Sequence, residues 1–214
     1  RQMCIRDRLT ETDKPLCIVR GMCAIVGYVG DSEALQIGLD ALERMEYRGY
    51  DSAGIAVVEQ GSLHLEKKEG KLQNLIDRID EVGRDSFHGS TCIGHTRWAT
   101  HGRPNDVNAH PHRSFDGKAA IVHNGIIENF STLRAEIEAA GIELESETDS
   151  EVAAHLLALA YNEGETAGDF QASALKVLSR LDGAFTVLFV HDDHPGTIVA
   201  GRRSTPLIVG VGEG

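Results

Sequence analysis

No uninterrupted apolar run in this sequence approaches the ~18 residues that a membrane-crossing helix needs; the longest, such as Phe185–Val190, are strand-sized. Basic residues are few beside acidic ones, 21 against 33, which leaves a formal net charge of −12. A surface that acidic repels nucleic-acid phosphates and anionic lipid headgroups, so neither nucleic acid nor a membrane is expected as a partner. Cysteine is sparse: Cys4, Cys17, Cys23 and Cys92 in 214 residues. The chain is too long to depend on a disulfide framework, and its charged beginning (Arg6, Asp7, Arg8, Glu11) holds no signal-peptide apolar core. A reduced, cytoplasmic setting is therefore expected, in which a cysteine is either inert core or chemistry. Internal repeats, low-complexity tracts and the Cys-x-x-Cys or His-Glu-x-x-His frames of metal sites are all missing. What remains, 41% hydrophobic and 25% charged residues, is an ordinary globular mixture that excludes intrinsic disorder.

The apolar pattern predicts strands over Ala24–Gly30, Ile55–Val58, Leu63–Leu65, Thr91–Gly94, Ala119–Val122, Phe185–Val190, Thr197–Ala200 and Leu207–Val211. Helices are predicted from Leu35 to Met45 (capped by Asp31 or Ser32), through Leu72, Leu75, Ile76 and Ile79, and over Asn129–Ala140, Ser150–Asn162 and Ala172–Leu181. Strands gather towards both ends and helices between them, which is α+β rather than strict βαβ alternation. A polar stretch from Arg97 to Lys118 is too long for an idle connection and reads as functional or mobile. Residues 1–22 follow neither a period of 2 nor of 3.6 and read as a leader, an extension or a reading-frame artefact; residues 23–214 read as one domain, cut short after its last strand.

Several segments could carry chemistry. Met22-Cys23 leads straight into a strand. If translation starts at Met22 and that residue is removed, Cys23 presents a thiol (reference pKa ~8.5) and an α-amine (~7.7–8.0) on one residue, a nucleophile with its own base. A buried inert cysteine is the alternative, and Cys92 inside a strand is assigned to that class. Arg48, in the polar turn EYRGYDSAG, carries a fork of donors suited to a carboxylate, or to a salt bridge with Glu46 or Asp51. Arg97 and Trp98, in HTRWATHG, could clamp a carboxylate and shield a site, or decorate a loop. In HNGIIEN, the Asn124 amide and the Gly125 N–H could converge as an oxyanion hole, or form a plain Asn-Gly turn. Asp149 could pair an ammonium group or serve the first turn of a helix. Six of the ten histidines lie between His88 and His123, and His110-Pro-His112 with His95, His101 or His123 could be drawn as a metal set; without a supporting frame, no metal is expected.

Taken in order, Met-Cys at a strand start, YRGYDSAG, HTRWATHG, NAHPH, HNGIIEN and SETDSE resemble the class II glutamine amidotransferases, in particular the glutaminase domain of the glucosamine-6-phosphate synthase family. The resemblance runs from Met22 to the C-terminus. It implies an N-terminal-nucleophile hydrolase fold, an αββα sandwich with two antiparallel sheets. It implies hydrolysis of L-glutamine to glutamate and ammonia with no cofactor. Cys23 would be the nucleophile, and Asn124 and Gly125 the oxyanion hole. Arg97, helped by Thr100 and His101, would hold the substrate carboxylate and Asp149 its ammonium. Arg48 would order the cysteine end, and Trp98 would gate ammonia passage. It implies as partners the sugar isomerase domains of the same polypeptide, which are missing here, and a full-length homo-oligomer. Two departures stand out: Ala24 replaces the family's usual glycine, and 22 residues precede Cys23. The alternatives are another class II amidotransferase, or a non-catalytic domain if Cys23 stays internal.

Overall fold

The computed structural model describes residues 23–59, 61–98 and 102–212. Two four-stranded antiparallel sheets form the centre. The first runs in the order β1 (Ala24–Val29), β4 (Thr91–Arg97), β2 (Ser52–Glu59), β3 (Ser62–Glu69). The second runs in the order β5 (His112–Arg113), β6 (Ala119–Ile127), β7 (Gly183–His191), β8 (Val199–Arg203). Between the sheets lies a core of Ala56, Val58, Ile93, Ala120, Val122, Leu188 and Val190. The helices α1 (Ala34–Glu43) and α2 (Leu72–Val82) cover the outer face of the first sheet. The helices α3 (Phe130–Ala139), α4 (Glu151–Asn162) and α5 (Phe170–Arg180) cover the second. This is the expected αββα sandwich.

Each layer follows from its residues. In α2 the period-3.6 stripe turns Leu72, Leu75 and Ile79 inward, and burying each contributes roughly 1.5–3 kcal/mol. The helix α5 starts at Asp169, whose carboxylate accepts the Ala172 N–H at 2.9 Å. Neither Asp31 nor Ser32 caps α1. The cap position is Glu33 without a side-chain bond, and the Ala34 N–H is taken by the Gly89 carbonyl at 2.9 Å, so tertiary contact replaces the local cap.

Several strands outrun their apolar stretches. β2 begins at Ser52 because Ser52, Ala53 and Gly54 are small enough to lie between neighbouring strands. β3 continues through Glu66–Glu69 at the sheet edge, where the charges are used. The Lys67 ammonium donates to the Val107 and Ala109 carbonyls at 2.9 Å each, and Lys68 pairs with Asp106 at 2.5 Å. Those bonds tie Asp106–Ala109, part of the long polar stretch, to β3 and satisfy two of its carbonyls. Burial pushes the Lys67 amine down to about 8. β6 runs on through Asn124-Gly125 to Ile127 instead of turning there. Leu207–Val211 is not a strand: no neighbouring strand receives it, Leu207 alone packs on the inter-sheet core, and Ile208, Val209 and Val211 are exposed.

Candidate active site

Cys23 stands at the head of β1, opposite the end of β4, because Ala24 pairs with Thr96. The Trp98 backbone N–H donates to the Cys23 sulfur at 3.1 Å, and the thiol lies 3.5 Å from the Trp98 carbonyl. From the second sheet, the Asn124 side-chain amide donates to the Cys23 backbone carbonyl at 3.1 Å. One thiol at one sheet's corner is thus bracketed by residues from both sheets. Ala24 is 2% exposed, its methyl group accommodated in the packed strand.

A cavity of about 610 Å³ opens over this corner. Cys23, Arg48, Arg97, Trp98, Asn124, Gly125 and Asp149 all line it, so seven of the nine sequence-derived candidates meet at one place. Thr100 and His101 lie outside the described residues. So do Cys4, Cys17 and the whole of segment 1–22.

The charged pair is buried and held. Arg97 is 4% exposed and its guanidinium donates to the carbonyls of Gly102 and Arg103 at 3.4 and 3.5 Å. Asp149 accepts the Ile127 N–H at 2.7 Å and the Ser150 hydroxyl at 3.2 Å, and so ties the head of α4 to the end of β6. Arg48 sits in a one-turn 3₁₀ helix, Glu46–Arg48, with its guanidinium against the Tyr47 ring and hydroxyl. That turn is moored by Tyr50, whose hydroxyl donates to Glu46 and accepts the Leu72 N–H. Trp98 is 45% exposed, with its ring over Gly49 at the cavity mouth.

Gly125 is demanded twice. Its φ is +131°, and a Cβ there would lie 2.1 Å from the Ala184 carbonyl oxygen on β7. The Asn-Gly pair is therefore no turn: the glycine lets β6 pass close to β7 while Asn124 reaches Cys23.

The electrostatics bear on the thiol. Burial pushes the Cys23 thiol above its ordinary value; the Trp98 N–H and the Arg97 charge act against that rise. Left to itself it is a protonated thiol near neutral pH, so reaction needs a proton acceptor beside it. Burial also pushes the Cys92 thiol up to about 12, as suits a core residue. His95 is held down at about 3 by burial, and burial likewise depresses His110, His112 and His123. These four are neutral packing groups, with His110 against His95 at 4.3 Å and His112 at 4.6 Å between ring centroids. Among the described residues, only His191, Asp192 and Asp193 gather ligand atoms within 4.8 Å, and the His191 Nδ1 already accepts the Asp193 N–H.

Sequence reasoning missed Thr148, Ser150, Thr186 and the run Thr205–Ile208, all of which line the cavity. Thr148 and Ser150 lie inside SETDSE and were within reach of that motif. Thr186 and Thr205–Ile208 carry no local signal, since only the packing of β7 and β8 brings them there.

Two antiparallel sheets sandwiched between helix layers, with a cysteine heading the first strand and facing a cavity, define the N-terminal-nucleophile class. The sequence model described as "Glutamine amidotransferase domain" matches residues 60–207. The chain belongs to that glutamine amidotransferase domain family. It is 59% identical over 192 residues to the glutamine–fructose-6-phosphate aminotransferase [isomerizing] of Mycobacterium tuberculosis (strain ATCC 25618 / H37Rv), and 60% identical over 197 residues to that of Mycolicibacterium smegmatis. In both cases 90% of this chain is covered, but it spans only 31% of the relative's length. Among solved structures, the glutamine phosphoribosylpyrophosphate amidotransferase of B. subtilis matches with a TM-score of 0.64 and 27% identity, over 78% of this chain and 35% of that one. No helix among the described residues is long and apolar enough to cross a membrane.

Proposed function

We propose that this domain hydrolyses L-glutamine to glutamate and ammonia through Cys23, after removal of everything that precedes it. The observation that carries the reading is the convergence of Cys23, Asn124, Arg97 and Asp149 on one cavity. A free amino acid needs one cationic and one anionic contact for its two charged ends, and a carboxamide carbon needs a nucleophile with nearby donors. Once Cys23 is the first residue, its α-amine takes the thiol proton and the thiolate attacks the glutamine δ-carbonyl. The developing oxyanion is met by the Asn124 amide and the Gly125 N–H. On collapse the Cys23 α-ammonium returns that proton to the departing amide nitrogen, which leaves as ammonia, and the remaining glutamyl thioester is hydrolysed by water to glutamate and free thiol. Arg97 holds the substrate carboxylate, Asp149 the ammonium, Arg48 steadies the cysteine end, and Trp98 closes the mouth. Thr100 and His101 belong to the same assignment on the strength of the sequence motif alone. An electrophilic glutamine analogue tests the reading: covalent attachment at Cys23, mapped by mass spectrometry, is expected, and attachment chiefly at Cys92 refutes it.

We propose further that, in a longer polypeptide carrying this domain, the ammonia converts fructose 6-phosphate to glucosamine 6-phosphate in sugar isomerase domains of the same chain. That the relatives at 59–60% identity are glutamine–fructose-6-phosphate aminotransferases supports this over a phosphoribosylpyrophosphate substrate, whose enzyme is 27% identical.

Two outcomes follow. Losing one oxyanion donor typically costs ~10²–10³ in kcat. Asn124→Ala should therefore lower kcat far more than it raises KM, as steady-state glutaminase kinetics will show; a pure KM effect would move Asn124 to ground-state binding. Arg97→Ala should weaken kcat/KM by about 10–100-fold, since charge-assisted hydrogen bonds contribute roughly 1.5–3 kcal/mol. The variant should hardly distinguish glutamine from its α-amide, yet still reject N-acetylglutamine. An unchanged preference for the free carboxylate makes Arg97 structural and the pose wrong.

A further inference from the structure

Part of the cavity's edge is formed by chain that follows the last strand. After β8 the chain reverses at Ser204, a non-glycine residue at φ +61°, and Thr205–Ile208 then runs along the cavity edge. What fastens this run is a small set of bonds. The Thr186 hydroxyl lies 2.6 Å from the Thr205 hydroxyl and donates to the Pro206 carbonyl at 3.2 Å. Because its single proton serves Pro206, Thr186 accepts from Thr205, and one hydroxyl closes two bonds. The Arg202 guanidinium adds a bond to the Thr205 carbonyl at 3.1 Å. Thr186 is 4% exposed and stands directly opposite Asn124 in the β6–β7 pairing.

We infer that Thr186 and Thr205 are positioning residues for the reaction at Cys23: their hydroxyl pair holds Thr205–Ile208 as a wall of the substrate cavity, beside the strand that carries Asn124. The inference rests on the proposed glutamine reading for its substrate, but not for its geometry. Thr186 touches no reacting atom. It acts by keeping the wall in place, so that a bound substrate is enclosed and its side-chain amide kept against Cys23. Leu207 secures the far end of the wall by packing on the inter-sheet core.

The test uses protein with Cys23 as its first residue and the variants Thr186→Val, Thr186→Ser, Thr205→Val and the double valine. Valine keeps the shape of threonine and removes the hydroxyl, whereas serine keeps the hydroxyl. Thr186→Val should raise KM for glutamine about tenfold with kcat changed less than about threefold, and Thr186→Ser should restore KM to within about twofold of the parent. Thr205→Val, which loses one of the two bonds that Thr186→Val loses, should raise KM less than Thr186→Val does, and the double variant should be no worse than Thr186→Val alone. A second measurement does not involve glutamine. Alkylation of Cys23 by iodoacetamide should run at least about threefold faster in Thr186→Val, because the wall no longer shields the thiol. An unchanged KM, an unchanged alkylation rate, additive single effects, or a serine variant as impaired as the valine one each overturns the inference. A parent protein that fails to turn over glutamine refutes the proposed function instead, and the alkylation rates then decide the inference alone.

Discussion

Cys23→Ala should abolish glutamine turnover, by about 10⁴-fold or more in kcat, because removing the nucleophile of a covalent mechanism removes the reaction path and not one contact along it. Glutamine binding, measured calorimetrically on the same variant, should stay close to that of the parent, since the two charged ends of the substrate rest on Arg97 and Asp149. No other described cysteine can take over. Cys92 is wholly buried between β1 and β2 on β4, and its thiol is held at about 12. Residual turnover at more than a hundredth of the parent rate would remove Cys23 from the nucleophile's role. Loss of binding together with turnover would show instead that the thiol shapes the cavity.

The second large effect concerns the 22 residues ahead of Cys23. While they remain attached, the nitrogen of Cys23 is an amide and takes up no proton near neutral pH, so the thiol has lost its base. Burial makes that loss severe, because it lifts the thiol above its ordinary value and leaves little thiolate at neutral pH. Protein that retains residues 1–22 should therefore show at most about a hundredth of the glutaminase activity of protein trimmed to Cys23. The pH profiles should also differ in a fixed direction. The reactive form of a thiol is the deprotonated one, and a raised pKa moves its appearance to higher pH. Alkylation of Cys23 in the extended protein should climb only in the alkaline range, while in the trimmed protein it should rise as the α-amine loses its proton near pH ~8. Equal glutaminase activity in both proteins, with the extension verified by intact mass, would contradict the mechanism.

Much of the site was legible because its chemistry is written in short contiguous blocks. Residues with few substitutes for the task sit in short motifs: a cysteine just ahead of β1, Arg97 ending β4 with Trp98 after it, Asn124-Gly125 within β6, Asp149 ahead of α4. Helices α2, α4 and α5 were equally legible, because a buried stripe of period 3.6 needs nothing but its own sequence. The strands were legible only where they were apolar. Ser52–Gly54, His95–Arg97 and Glu66–Glu69 escaped, since their place in a sheet is set by the strand beside them and their polar groups are satisfied by residues far along the chain. Leu207–Val211 failed the other way: an apolar run with no partner strand does not become one.

The sequence by itself determined the α+β class, the candidate nucleophile and the charged pair, because these depend on composition, period and residue type. Only the tertiary structure decided that Asn124 lies 3.1 Å from the Cys23 carbonyl although 101 residues separate them. It alone decided that Gly125 is needed for close approach to β7, and that Thr186 and Thr205 bound the same cavity. The physical reason is common to all three. Each depends on segments far apart in the chain being brought together, and that meeting is fixed by strand pairing and by the burial of whole sheet faces against one another, which no local stretch of residues encodes.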